Sequence, residues 1–257
     1  MSSSPHRAAY WDDVARDWPQ TRRPRVLRAY SDAVNRAWLE RELPATARAL
    51  LKTDAFDEAV GNGLVDFLRS RAEAVTVIDV SPSVVAEATQ LGARFETGDV
   101  RSLRFPDESF DVVVSNSTLD HFAHADEIRD ALVELHRVLA PGGMLLVSLD
   151  NPANPLVALR NALPYRPLAR LGLVPHYVGA TVGAGGLREL LGRTGFEVER
   201  VEALMHVPRV LVAAIASLAR AAGDGALVER LASFERLGAT RTSHITGQFV
   251  GARAVKR

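Results

Sequence analysis

The sequence predicts an α/β fold in which a mostly parallel sheet carries helices on both faces. Two observations predict it. Strand-like apolar runs alternate with helical patterns from about residue 49 to the C-terminal end, the signature of βαβ units. The central runs VTVIDV, DVVVS and MLLVSL are almost continuously apolar, as buried parallel strands are.

The elements follow in chain order. Tyr10, Trp11, Val14, Trp18, Val26, Leu27, Tyr30, Val34 and Leu39 recur at near-helical spacing, and Pro19 and Pro24 divide them. Two N-terminal helices are therefore expected rather than one. Strands are expected at Ala49–Phe56, Ala74–Val80, Arg94–Thr97, Phe110–Ser115, Met144–Leu149, Glu197–Leu204 and His244–Ala254. Helices are expected at Leu64–Arg71, Ser83–Leu91 and Asp126–Leu139. Asn151–Ala180 holds five prolines and reads as loop with short helices, and Val207–Leu237 as one or two helices before the last strand. Insertions after strands commonly cover the ligand crevice. The division expected is a helical cap over 1–43, a core over 44–150, and lid insertions with the rest of the same sheet over 151–257.

Composition narrows the function. Thirty-one basic and 31 acidic residues leave no formal net charge, whereas nucleic-acid binders carry a basic excess against phosphate. The chain has no cysteine, which excludes disulfides, thiolate zinc sites and cysteine nucleophiles. The N-terminal residues lack a signal-peptide pattern, and the apolar run Val210–Ala216 is too short to span a bilayer. No nucleic acid, no stable membrane insertion and a cytoplasmic location are the expectations.

In an open parallel sheet, ligands bind beyond the carboxyl ends of the strands, so the residues following each strand are the candidates. The first strand is followed by Asp57, Glu58, Ala59, Gly61 and Gly63; glycines there allow close backbone approach to a ligand. The second ends at Asp79 and Val80, a carboxylate placed to accept from ribose hydroxyls, or else a helix cap. The third leads to Asp99 and Val100, suited to an adenine amino group and ring, or else a polar loop. The fourth leads to Asn116, Ser117, Asp120 and His121.

These motifs, in this order, resemble the class I S-adenosylmethionine-dependent methyltransferases, in particular their small-molecule branch. AFDEAVGNG is similar to the family's acidic and glycine-rich first motif, VTVIDVSP to the second-strand motif with its ribose-binding acid, and GDVRSLRFPDESFDVVVSNSTLDHF to the next two. LVELHRVLAPGGMLLVSL resembles the helix, Pro-Gly-Gly turn and strand that close the core. The resemblance implies a three-layer Rossmann-like fold whose last strand runs antiparallel beside the sixth. It also implies S-adenosyl-L-methionine as cofactor, held by Asp57, Glu58, Ala59, Gly61, Gly63, Asp79, Val80, Asp99, Val100, Asn116 and Ser117. Ala59 stands where the family carries its first glycine. That departure favours a competing reading, a non-catalytic scaffold; a nicotinamide-dependent oxidoreductase is the other competitor.

For methyl transfer the expected partner is a small-molecule methyl acceptor, hydrophobic or aromatic because the covering segments are apolar. Those helices equally suit packing on one another or a homodimer interface. His121 is the expected general base, since imidazole exchanges protons near neutral pH; His124, His176 and His206 are lesser candidates. Arg160, Arg166 and Arg170 suit a carboxylate or phosphate on the acceptor. The cluster Asp120, His121, His124 and Asp126 is read as polar surface, with no metal expected.

Overall fold

In a computed structural model, seven strands form one sheet in the order β3-β2-β1-β4-β5-β7-β6. The structure describes residues 8–17, 25–61, 63–89, 92–170, 174, 177–218 and 224–257. The strands are β1 (Ala47–Lys52), β2 (Ala72–Asp79), β3 (Arg94–Thr97), β4 (Phe110–Asn116), β5 (Leu139–Asp150), β6 (Phe196–Leu204) and β7 (Phe249–Lys256). All pairings among the first five are parallel, and β7 lies antiparallel between β5 and β6. The mostly parallel sheet with an antiparallel last strand is the expected one.

Helices flank both faces. Alternate strand residues divide the core in two, as the period of two requires. Leu50, Val77, Val112, Val114 and Leu146 pack on one side with α2 (Arg25–Glu42), α4 (Val65–Arg69) and α5 (Pro82–Ala88). Leu51, Ile78, Val113, Leu145 and Val147 pack on the other with α6 (Ala125–Val138) and α9 (Ala184–Arg193). Before α2 comes α1 (Ala8–Asp17); the prolines expected to separate the two helices lie outside the described residues. Buried Glu42 at the end of α2 pairs with Arg200 of β6 at 2.9 Å and Arg253 of β7 at 3.8 Å, anchoring this helix to the far sheet edge.

Three local expectations are corrected. β1 spans Ala47–Lys52 rather than Ala49–Phe56, and the residues behind it form a short helix, α3 (Phe56–Val60), instead of a bare glycine turn. The last strand begins at Phe249, because Ser243–Thr246 coils into helix α12. The Pro-Gly-Gly segment lies within β5, where Gly142 (φ +76°) accompanies a register shift against β4. The segment after β5 carries α7 (Pro155–Ala162) and α8 (Tyr165–Arg170). The segment after β6 carries α10 (Arg209–Leu218) and α11 (Asp224–Ala232). None of the described helices is long and apolar enough to cross a membrane.

Candidate active site

The chain runs outward through β1, β2 and β3, then crosses to β4 on the other side of β1. This reversal opens a crevice at the carboxyl ends of β1 and β4. A cavity of about 490 Å³ occupies it, lined by residues that follow β1, β2, β3 and β4 and closed by α1, α2 and the start of α10.

Asp79 ends β2 and is buried. Its Oδ2 accepts from the Ala55 N–H at 3.0 Å and its Oδ1 from the Ser81 N–H at 2.9 Å. Burial pushes its carboxyl above the usual range against the pull of those two amides. Each oxygen retains a further lone pair for a ligand hydroxyl. Val80 and Val100 also line the cavity. Asp99 lines it too, but its carboxylate is gripped by Arg101, whose Nη2 donates at 2.6 Å and whose Nε donates at 3.0 Å. Arg101 also pairs with Glu127 at 2.5 Å and lies 4.9 Å over the Phe122 ring. The loop expected as a ligand contact thus also carries an ion network.

Asn116 is the clearest opening for a ligand. Both Nδ2 and Oδ1 are buried without a hydrogen-bond partner while the residue lines the cavity. Buried amides are otherwise paired. Its neighbour Ser117 adopts φ +49°, a left-handed conformation uncommon for a side-chain-bearing residue, and donates to Asp120 Oδ2 at 3.0 Å.

His121 also lines the cavity. Its Nδ1 lies 2.8 Å from the Tyr177 carbonyl oxygen. A carbonyl only accepts, so Nδ1 carries the proton and Nε2 presents a lone pair. Nε2 is 3.9 Å from Oδ1 of Asp120, a fully buried oxygen without a hydrogen-bond partner. Trp11 of α1 packs edge-on against the His121 ring at 4.7 Å and against Phe56 at 6.1 Å. The helix is held there by Tyr10, whose hydroxyl accepts from the Tyr177 N–H at 2.7 Å, and by Asp12, which accepts from the Ser81 and Ser83 hydroxyls. Trp18 and His176 lie outside the described residues. His124 and His206 do not line the cavity: His124 caps α6, where Glu127 accepts from its N–H, and His206 bonds Thr246.

The first motif departs most from expectation. Asp57 lines the cavity, paired with Arg28 at 3.3 Å, whereas Glu58, Ala59, Gly61 and Gly63 do not line it. Glu58 is buried: Oε2 accepts from Lys52 Nζ at 2.9 Å and Oε1 from the Leu64 N–H at 2.9 Å. Gly63 adopts φ +53°, and a Cβ there would stand 2.4 Å from Glu58 Oε1. Gly63 thus shapes the loop around Glu58, whereas Gly61 lies against Arg28. The strand end itself carries Lys52, buried, with Asp54 and Glu58 as its anions. Burial alone would depress that ammonium, but the two carboxylates hold it above the usual range.

Sequence reasoning missed Lys52, Asp54, Arg28, Asp32, Asn35 and Arg209, all of which line the cavity. A signal existed for three. Arg28, Asp32 and Asn35 are spaced by four and three residues, a polar stripe beside the apolar stripe of α2. Asp32 is pushed up to about 7 by burial and then by Asp57, with Arg28 opposing. Since the folded value exceeds the ordinary 3.8, the native state holds this proton between those pH values and the unfolded chain does not. Ionised Asp32 therefore destabilises the fold fully above about pH 7, and the penalty fades as pH falls. Asp32→Asn should raise the calorimetric Tm at about pH 8, by ~2–4 °C for each kcal/mol relieved. The gain should shrink as pH falls through the folded value; a pH-independent change would assign the effect to packing.

Residues 57–147 match the family model for a methyltransferase domain. The chain carries a class I, S-adenosylmethionine-dependent methyltransferase domain. Demethylmenaquinone methyltransferase of Deinococcus radiodurans is 37% identical over 141 residues, covering 50% of this chain and 56% of that protein. Trans-aconitate 2-methyltransferase of Mycobacterium tuberculosis (strain H37Ra) is 37% identical over 131 residues, covering 49% and 48%. The chain thus spans about half the length of the curated relatives it matches. Among solved structures, an S-adenosylmethionine-dependent methyltransferase from Thermotoga maritima superposes with a TM-score of 0.62 at 17% identity, over 96% of this chain and 99% of that one. The [4+2]-cyclase SpnF superposes at 0.57 and 23% identity, over 88% and 80%. These likenesses concern the fold, which is compatible with more than one chemistry. The domain's cofactor fits the residues present: the orphaned Asn116 amide and the spare lone pairs of Asp79 face one cavity of suitable size.

Proposed function

We propose that the protein methylates a small molecule, using S-adenosylmethionine held along Asp79, Val80, Val100 and Asn116. The observation that carries this reading is the single cavity that joins those residues to Trp11, Phe56 and His121. When bound, the cofactor supplies an electrophilic methyl group, so the protein's main task is positioning. Asp79 accepts from ribose hydroxyls, and the Asn116 amide gains the partners it lacks. Trp11, Phe56 and Phe122 give the acceptor an apolar, aromatic surface. His121 accepts a proton from the acceptor at Nε2, and Asp120 Oδ1 faces the imidazolium that results. The relatives named above act on demethylmenaquinone and on trans-aconitate, both small molecules, which supports the substrate class. The action of Asp57 from the cavity rim is limited by its pairing with Arg28.

Titration calorimetry with S-adenosylmethionine, S-adenosylhomocysteine and NADH tests the reading. Micromolar binding of the first two and none of the third is expected. Failure to bind either adenosyl ligand would overturn it and favour a scaffold.

A further inference from the structure

Arg209, the first residue of α10, lines the cavity beside Met205 and Phe249. Its backbone N–H is bonded to Gln248 Oε1 at 3.3 Å. Among the described residues its guanidinium makes no hydrogen bond and no ion pair, and the carboxylates whose field it feels are already engaged. Asp150 Oδ2 accepts from Arg160 Nη2 at 2.6 Å, and Asp57 pairs with Arg28 at 3.3 Å. The other cavity-lining guanidiniums are similarly spent, Arg28 on Asp57 and Arg101 on Asp99 and Glu127. Burial pulls Arg209 below its usual range, and Arg160 and Arg28 pull it further down against Asp150 and Asp57.

An arginine does not shed its proton near neutral pH, so the charge stays. A half-buried cation with five unspent donors is a standing cost that a bound anion removes. The planar fork of donors matches a carboxylate in two parallel hydrogen bonds. We propose that Arg209 is a carboxylate receptor, so that a ligand of this cavity seats a carboxylate on its guanidinium. The proposal rests on the methyltransferase reading, under which two ligands share the cavity: the acceptor, or the cofactor through its methionyl tail, supplies the carboxylate. If the acceptor supplies it, the enzyme prefers acids over the corresponding esters and amides.

The test is side-chain NMR of the full chain labelled at arginine and asparagine, with the Arg209 Nε–H signal assigned by its loss in Arg209→Lys. The Asn116 amide signals report cofactor entry independently. Movement of Arg209 on adding S-adenosylmethionine, but not its decarboxylated form, assigns the carboxylate to the cofactor. Movement on adding benzoate to protein saturated with S-adenosylhomocysteine, with benzamide inert, assigns it to the acceptor. An Arg209 signal unmoved by both acids overturns the receptor. Asn116 signals unmoved by the adenosyl ligands would instead fault the underlying methyltransferase reading, whatever Arg209 does.

Discussion

Replacing His121 with alanine is expected to lower the turnover of methyl transfer to a hydroxyl acceptor by ~10²–10⁴-fold, the usual worth of a positioned general base. Cofactor affinity should stay unchanged, because the proposed reading gives adenosine recognition to Asp79, Val100 and Asn116. The geometry behind this is a relay in which each atom has one task. The Tyr177 carbonyl accepts from Nδ1 at 2.8 Å, which leaves Nε2 as the proposed proton acceptor, and an otherwise unbonded Asp120 carboxylate oxygen lies 3.9 Å from it. His121→Gln, which fills similar space without a basic ring nitrogen, should lose turnover as the alanine variant does. The competing role is packing alone, since Trp11 lies edge-on against the ring. Packing alone predicts that His121→Gln keeps the turnover. Steady-state kinetics of both variants, with calorimetric cofactor affinity measured in parallel, separates the two.

The parts of the fold legible in the sequence are those fixed by local chemistry. β2, β4 and the buried half of β5 are apolar on both faces, so their identity as central strands does not depend on what packs against them. β1 was harder because it ends in Lys52, a residue that terminates an apolar run in sequence yet is buried in space. Contacts with Asp54 and Glu58, two and six residues on, make that burial tolerable, and no apolar periodicity announces them. The Lys52–Glu58 pair explains why FDEAV forms a short helix where a glycine turn was expected. HITGQFV alternates in a strand-like way, but Asn154 Nδ2 and Asn151 Nδ2 donate to the carbonyls of Thr246 and Gly247, helping to hold α12 as a coil before β7 begins. At the cavity, Asp79 and Asn116 were legible because strand ends place them, and His121 because it follows the end of β4 by five residues. Arg28, Asp32 and Arg209 come from helices whose docking is a tertiary matter, so their arrival at the cavity was not.

The Asp79 side chain carries the other large expected effect, and it has two functions to be separated. Its oxygens satisfy the amides of Ala55 and Ser81, which fix the loops behind β1 and β2. Asp79→Ala orphans both buried donors at ~1–3 kcal/mol each, so a lower Tm accompanies any loss of binding and the variant alone decides nothing. Asp79→Asn keeps an acceptor for one of the two amides and removes the charge. If the carboxylate holds the ribose, this variant should bind S-adenosylmethionine ~10- to 150-fold more weakly, equivalent to ~1.5–3 kcal/mol for hydrogen bonds to a charged group. Affinity for the adenosyl ligand alone still leaves the loop as a route for the effect. Comparing S-adenosylhomocysteine with its 2′,3′-dideoxy analogue closes that route. The natural protein should strongly prefer the ligand with hydroxyls, and Asp79→Asn should lose the preference while binding the analogue as before. A folded variant that keeps the preference would assign the ribose hydroxyls to another group, leaving Asp79 as the clamp that positions the two loops.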